Sequence, residues 1–309
     1  MDKHWDAYCG LTIVHFLAFP ECQSGQGPIL ETVSKIAEDD FFSGIEVTRI
    51  TDDAVRRQVA VLLEQTHLKV DFGVHPVILA EKHNINSLVA EERRRACAVI
   101  ESFFDQAADL SARRFVLLSG PDPGEEYRAN ATLALIESLQ HICEAARKFN
   151  LEVVLETFDR AVDKRALIGP AEDALSVAAI VRRDFPQFGL LYDMAHAVLL
   201  DEKPVPAMLL LREYLAHVHV GNCVNVRGRP GYGDFHPRFG YPGGVNDVPE
   251  LVEFINALFE VGYLGGQLTG VRPGVGFEIR PQAGETSAAI IVNLKRAWRE
   301  AWPLVHDWQ

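Results

Sequence analysis

LEVVLETFDRAVDKRALIGPAEDALSVAAIVRRDFPQFGLLYDMAH, residues 151–196, is the stretch that decides the fold. An apolar, β-rich run at 151–157 gives way to helical spacing over 171–183 and then to a second apolar run at 188–194. Runs that are apolar on both faces and separated by a helix read as neighbouring parallel strands, covered by helices outside and core side chains inside. The same unit recurs in both directions. YCGLTIV (8–14), GIEVTRI (44–50), LKVDFGV (68–74) and RFVLLSG (114–120) precede it, and LAHVHVG (215–221) and VGFEIRP (275–281) follow. Helical spacing over 52–65, 87–110, 125–149 and 247–258 fills other intervals, several opened by an acidic or hydroxyl residue suited to an N-cap. Strand and helix alternating to the end of the chain predict an α/β fold, a (β/α)8 TIM barrel formed by residues 1–309 as one domain. One segment breaks the rhythm: VNVRGRPGYGDFHPRFGYPGGVN (224–246), a long loop after the seventh strand. Loops of this length are usually functional, and its Pro and Gly punctuation predicts ordered turns rather than a tether.

Composition narrows the functional classes. With 48% hydrophobic and 24% charged residues the chain is that of an ordinary globular protein with a large core. No stretch approaches the roughly 20 apolar residues a membrane span needs. The opening MDKHWDAYCG lacks the basic-then-apolar order of a secretory signal, so a cytoplasmic, membrane-free protein is expected. Cys9, Cys22, Cys97, Cys143 and Cys223 form no CxxC pair and are odd in number, which favours reduced thiols. A net charge of −13 repels polyanions, so no nucleic-acid partner is expected, although local arginines can still hold a small phosphate or carboxylate. Trp5, Trp298, Trp302 and Trp308 lie near the chain ends, where helix packing is the expected use.

In such a barrel the active site lies where strands end and the following loops begin. Glu156, Asp193, His219 and Glu278 stand at those ends on strands five to eight. Singly, each acidic residue reads as a helix cap or a salt-bridge partner. Together, three carboxylates and an imidazole converging on the barrel axis would repel one another by several kcal/mol, a conflict that a dication removes. Mixed oxygen and nitrogen ligands suit Mn²⁺, Mg²⁺, Co²⁺ or Zn²⁺.

GIEV at strand two, ExxDR at Glu156 to Arg160, DxxH at Asp193 to His196, HxHxG at His217 to Gly221 and the FE ending at Glu278 together resemble the sugar phosphate isomerase/epimerase family of xylose isomerase-like barrels. The resemblance spans almost the whole chain and extends to the ketose 3-epimerases and the catalytic subunits of C-glycoside deglycosidases. It implies one divalent ion, Mn²⁺ first, on Glu156, Asp193, His219 and Glu278, with Glu156 and Glu278 also exchanging protons with a carbon of a carbohydrate. It further implies that His196 bonds a substrate oxygen, unless it only caps its helix. Arg160 either binds substrate or pairs with a nearby carboxylate, and His217 either supports the site or is a satisfied core histidine. Glu46, His15 and His75 end strands two, one and three, where they either line the pocket or serve the structure.

The chain departs from that family in two places. Position 162 is Val where the ketose epimerases carry a further Glu, and Gly221, Asn222, Cys223, Val224 and Asn225 replace their GExNR. These departures leave the sugar unassigned. Arg227, Arg229, His236 and Arg238 either replace the missing contacts or make the 224–246 loop an interaction surface. The leading expectation is a metal-dependent sugar isomerase or epimerase that removes a proton beside a carbonyl and passes through an enediolate. A lyase cleaving 3-oxo-glycosides uses the same first step and would bring a small β-rich partner subunit; a homo-oligomer is the other expected assembly. A nuclease of the same superfamily would need a three-metal cluster with more histidines, which the net charge opposes, and a non-catalytic sugar-binding barrel would need no metal.

Overall fold

The computed structural model describes residues 1, 3–265 and 272–306. Its strands are β1 Gly10–Val14, β2 Gly44–Val47, β3 Lys69–Gly73, β4 Ala112–Leu118, β5 Glu152–Glu156, β6 Gly189–Asp193, β7 Leu215–Gly221 and β8 Gly274–Glu278. They pair in parallel in chain order, and β8 returns to β1, closing the barrel. Each of the apolar runs read from the sequence forms one of these strands. The longer helices outside are α1 Ile29–Ala37, α2 Asp53–Thr66, α3 Ala90–Glu101, α4 Glu125–Ala146, α5 Ala171–Asp184, α6 Pro204–Leu211, α7 Val248–Glu260 and α8 Ser287–Ala301.

Helical spacing over 87–110 suggested one helix, but the chain makes α3 and then a separate short helix, Phe104–Asp109. The Ser102 hydroxyl donates to the Val99 carbonyl at 2.6 Å and Phe103 N–H to Ile100 at 3.1 Å, a tight turn that ends the α-helical ladder. The turn lets the Phe104 ring meet Phe115 edge-on at 4.9 Å. At the N-terminus of α2, Asp52 Oδ1 accepts from the amides of Ala54 and Val55.

Alternate strand residues point into the barrel. Val116, Val154 and Leu191 form an apolar interior cluster, distinct from the large core that joins the strands' outer faces to the helices. Below this cluster, toward the strand N-termini, Arg114 pairs with Asp71 at 3.0 Å. Above it stand the polar strand ends. The inner face of β8 carries Gly274 and Gly276. A Cβ at Gly276 would lie 2.5 Å from His219 Cδ2, and one at Gly274 would lie 2.9 Å from His217 Cε1. The last strand thus yields its interior volume to the two imidazoles of β7.

Trp298 and Trp302 stack at 5.8 Å, and Trp5 meets Trp302 edge-on at 6.5 Å, packing the chain ends together. Trp308 lies outside the described residues. All five cysteines are buried and free. No helix among the described residues is long and apolar enough to cross a membrane.

Candidate active site

β5 ends at Glu156, β6 at Asp193 and β8 at Glu278, and the register sets His219 of β7 beside Asp193. Glu156, His219 and Glu278 each offer a ligand atom, and these atoms all lie within 4.8 Å of one another. His219 Nδ1 is 3.8 Å from Glu156 and 3.7 Å from Glu278, while its Nε2 is 3.4 Å from Glu46. His75, at the start of the short helix after β3, places Nε2 3.1 Å from Glu156 Oε2. Asp193 spends Oδ1 on the amides of Ala195 and His196, capping the helix that follows it, and its buried Oδ2 has no hydrogen-bond partner.

The loop after β7 folds back over this group. His236 is left-handed, with φ 44°, a conformation that costs a residue with a Cβ and persists only where surrounding contacts hold it. Its carbonyl accepts the Arg280 amide at 2.6 Å. Its Nε2 lies 2.6 Å from Asp234 Oδ1 and 3.1 Å from Glu278 Oε2. His196 brings Nε2 to 3.0 Å from the same Asp234 oxygen. The Thr157 carbonyl, 2.8 Å from His196 Nδ1, can only accept, so Nδ1 carries hydrogen and Nε2 is left to face the Asp234 carboxylate. His196, His236 and Glu278 form a second group with ligand atoms within 4.8 Å, so Glu278 belongs to both groups. Lys164 Nζ closes the far side of Asp234 at 2.9 Å.

Asparagines fasten the loop. Asn222 Oδ1 accepts from the Asn246 amide at 2.7 Å and its Nδ2 donates to the Arg238 carbonyl at 2.9 Å, while Asn246 Nδ2 donates to the Gly221 carbonyl at 2.8 Å. Asn222, one of the positions departing from the resembling family's pattern, therefore ties the middle of the loop and its C-terminal end back to the end of β7. On the β5 side, buried Asp159 accepts from the amides of Val162, Asp163 and Lys164, which shapes the turn that delivers Lys164.

The structure brings Glu46, His75, Glu156, His196, His219 and Glu278 together, with Asp193 beside them. It directs three other sequence candidates elsewhere. Arg160 donates to the Leu167 carbonyl and to Asp173 at 2.5 Å, bracing the start of α5. His217 is buried one layer deeper than His219, 3.9 Å from Asp71. His15 bonds Thr32 of α1 at 2.8 Å, and burial holds its imidazole down at about 3, neutral at physiological pH. Sequence reading passed over Asp234, Lys164, Asp159 and Arg280. The signal for Asp234 was its spacing of two from His236 among turn-forming residues; the same spacing links Arg280 to Glu278.

Unmet polar atoms are concentrated here. Both oxygens of Glu46 and Glu156, both nitrogens of His219, Asp193 Oδ2 and Glu278 Oε2 are buried without a properly directed hydrogen bond, including the Glu156 oxygen that lies close to His75. Each such atom costs about 1–3 kcal/mol, and their mixture of oxygen and nitrogen donors fits a divalent cation. Burial and the charge of Glu278 push the Glu156 carboxyl up. Burial opposes charge on His219, but the surrounding carboxylates, Glu278 foremost, outweigh it and raise the imidazole well above its usual range. Glu278 and Asp234 likewise overcome burial at His236 and raise it to about 9. A cation taken up at neutral pH must therefore displace protons. We expect calorimetric Mn²⁺ titrations at pH 7, in buffers of different ionisation heat, to register proton release, and the apparent affinity to climb as pH rises toward 9. Buffer-independent heats would contradict this.

A cavity of about 210 Å³ opens onto the group, lined by Phe16, Phe158, Phe235, Lys164, His236 and Arg280 among others. Aromatic walls with a few polar groups suit a small polyhydroxylated ligand.

A family model described as xylose isomerase-like TIM barrel matches residues 35–269. No sequence among curated proteins matches the chain. Similar solved structures include D-psicose 3-epimerase from Clostridium cellulolyticum with D-tagatose, at 18% identity, 94% coverage of this chain, 95% of that chain and a TM-score of 0.65. The 3-keto-D-glucoside 4-epimerase of E. coli is 18% identical over 94% of this chain and 98% of its own, with a TM-score of 0.64. The IOLI protein with a bound zinc atom is 13% identical over 97% of this chain and 100% of its own, with a TM-score of 0.71. At these identities the likeness is one of fold.

Proposed function

The chain belongs to the xylose isomerase-like TIM barrel family, and from that premise we propose that it is a divalent-metal-dependent sugar isomerase or epimerase. The observation that carries the reading is the convergence of Glu156, His219 and Glu278, with unpartnered buried ligand atoms, at the C-terminal strand ends. These three residues and Asp193 would hold the ion, Mn²⁺ first and Mg²⁺, Co²⁺ or Zn²⁺ as alternatives; His196 and His236 with Glu278 form a second ligand set. When bound, the ion supplies Lewis-acid stabilisation of the negative charge that develops on substrate oxygens. Glu156 takes the proton from the carbon beside the carbonyl, and its raised pKa matches a base that must also return it. Glu278, on β8 three strands round the closed barrel from Glu156 on β5, serves the opposite face. His75 and His196, 3.1 and 3.5 Å from Glu156, flank its carboxylate, and a charge on either imidazole would favour the anion. The buried rings of Phe16 and Phe158 on the cavity wall would limit the access of water to the reacting carbon.

His236 favours a second reading. Raised to about 9 and lying against both Asp234 and Glu278, it is an acid placed to protonate a leaving group, as a lyase acting on 3-oxo-glycosides requires. The additional histidines are also ligands that a multinuclear nuclease needs, but the net charge of −13 opposes a DNA partner. The reading thus takes a small carbohydrate as ligand and no nucleic acid. The test is a metal-supplemented NMR screen in D₂O with free sugars, sugar phosphates and 3-oxo-glycosides. Deuterium uptake beside the carbonyl without cleavage is the expected result; aglycone release would replace the isomerase with the lyase, and neither outcome with any substrate would sink both.

A further inference from the structure

At the opposite pole, among the N-terminal strand ends, two cavities of about 170 and 200 Å³ share walls made by Arg113, Arg114 and Arg272. Lys69 completes one, and Arg182 and Arg212 the other. This gathering of cations runs against the chain's net charge of −13.

The carboxylates that line the two cavities, Asp71, Glu152 and Glu213, are half as many as the six cations and do not balance them. Asp71 is 3.0 Å from Arg114. Glu152 is divided between two arginines, 3.4 Å from Arg114 Nε and 3.8 Å from Arg113 Nε. Arg272 comes no nearer than 4.0 Å to Asp6. Lys69 and Arg212 have no ion pair among the described residues. Arg114 itself is buried and lines both cavities, yet its Nε, though 3.4 Å from Glu152, makes no properly directed hydrogen bond. The Lys69 ammonium is held below its usual range by burial and then by repulsion from Arg272, Arg113 and Arg114, so the positive potential is felt within the cluster.

We propose that this N-terminal mouth binds a small multivalent oxyanion, a phosphate or the phosphate group of a compact ester, through Arg113, Arg114 and Arg272, with Lys69 and Arg212 at the rim. The guanidinium forks come from β4 and from the entry to β8, so they approach one ligand from different directions. A tetrahedral oxyanion can accept from all of them, whereas one or two forks satisfy a planar carboxylate. The cavities fall below the roughly 300–1,000 Å³ of drug-sized pockets, which restricts the ligand to a compact one. The apolar layer of Val116, Val154 and Leu191 separates this mouth from the strand C-termini, so the site is distinct from the proposed active site.

The test is calorimetry on the Mn²⁺-supplemented full chain with inorganic phosphate and, separately, glycerol phosphate; the tighter of the two identifies the source. Saturable binding is expected, with a rise in melting temperature of about 5 °C at a hundredfold excess over Kd. R113Q/R272Q, at two partly exposed side chains, should lose at least tenfold in affinity, and Glu278→Gln at the other pole should retain it. If the double variant folds poorly, exposed Arg212→Gln should show a smaller loss in the same sense. Failure of both anions to saturate, undiminished binding in the arginine variants, or loss of binding in Glu278→Gln would overturn the proposal.

Discussion

Glu278→Gln is expected to empty the barrel of divalent cation and to abolish proton exchange together. Glu278 is the residue common to the Glu156/His219 and His196/His236 groups, so its charge is the one both ligand sets lose. Glutamine keeps the shape but donates hydrogen where an anionic oxygen is needed, and it leaves His219 and His236 without the carboxylate that most raises each of them. Affinity for Mn²⁺ should fall by more than the 10–100-fold that residues merely supporting a ligand cost. Deuterium exchange on the responding sugar should fall by about 10³ or more. His236→Ala, which touches only the loop group, should leave a retained fraction of metal. The measurements are metal content after gel filtration and the exchange rate under saturating Mn²⁺. Full metal retention in Glu278→Gln would show that the two groups do not share an ion-binding residue.

Glu156→Gln should separate chemistry from folding. Loss of a general base costs about 10²–10⁴-fold, so exchange should fall by that amount even where excess Mn²⁺ restores occupancy. Stability should respond in the opposite sense. Burial and Glu278 raise the Glu156 carboxyl in the folded protein, so its folded pKa lies above its unfolded one. Its contribution to stability is therefore full below the unfolded value, about 4.3, and is lost as pH rises through the folded value. At neutral pH the metal-free variant should melt no lower than the metal-free parent, and its advantage should shrink on acidification. Undiminished exchange would remove Glu156 from the acid/base pair. A clear drop in metal-free melting temperature would show that its partners His75 and His219 outweigh its burial.

The barrel was legible because its information is local. Apolar runs such as 151–157 and 188–194 declare buried parallel strands within a few residues, and the helices between them declare themselves by spacing. The strand-end candidates followed from the same pattern, since a polar residue closing a buried run has the pocket as its natural destination. The reach of a long side chain is not local. Arg160 carries a sequence motif, yet its guanidinium turns to Asp173 and the Leu167 carbonyl, and nothing in the order of residues fixes that rotamer. His15 also ends its strand, but Thr32 of α1 receives it.

The sequence by itself determined the element order, the closed α/β barrel and the chemical types at its strand ends, because propensity and periodicity act over distances of a few residues. Only the tertiary structure decided which of those groups meet. The loop from 224 to 246 returns over the barrel because Asn222 and Asn246 tie its middle and its C-terminal end to the end of β7, and the left-handed His236 then reaches Glu278 from forty-two positions away. Gly276 leaves the space that His219 fills, and the arginines of the opposite mouth converge from strands far apart in the chain. Such encounters depend on barrel closure and register, which place distant residues within ångströms of one another.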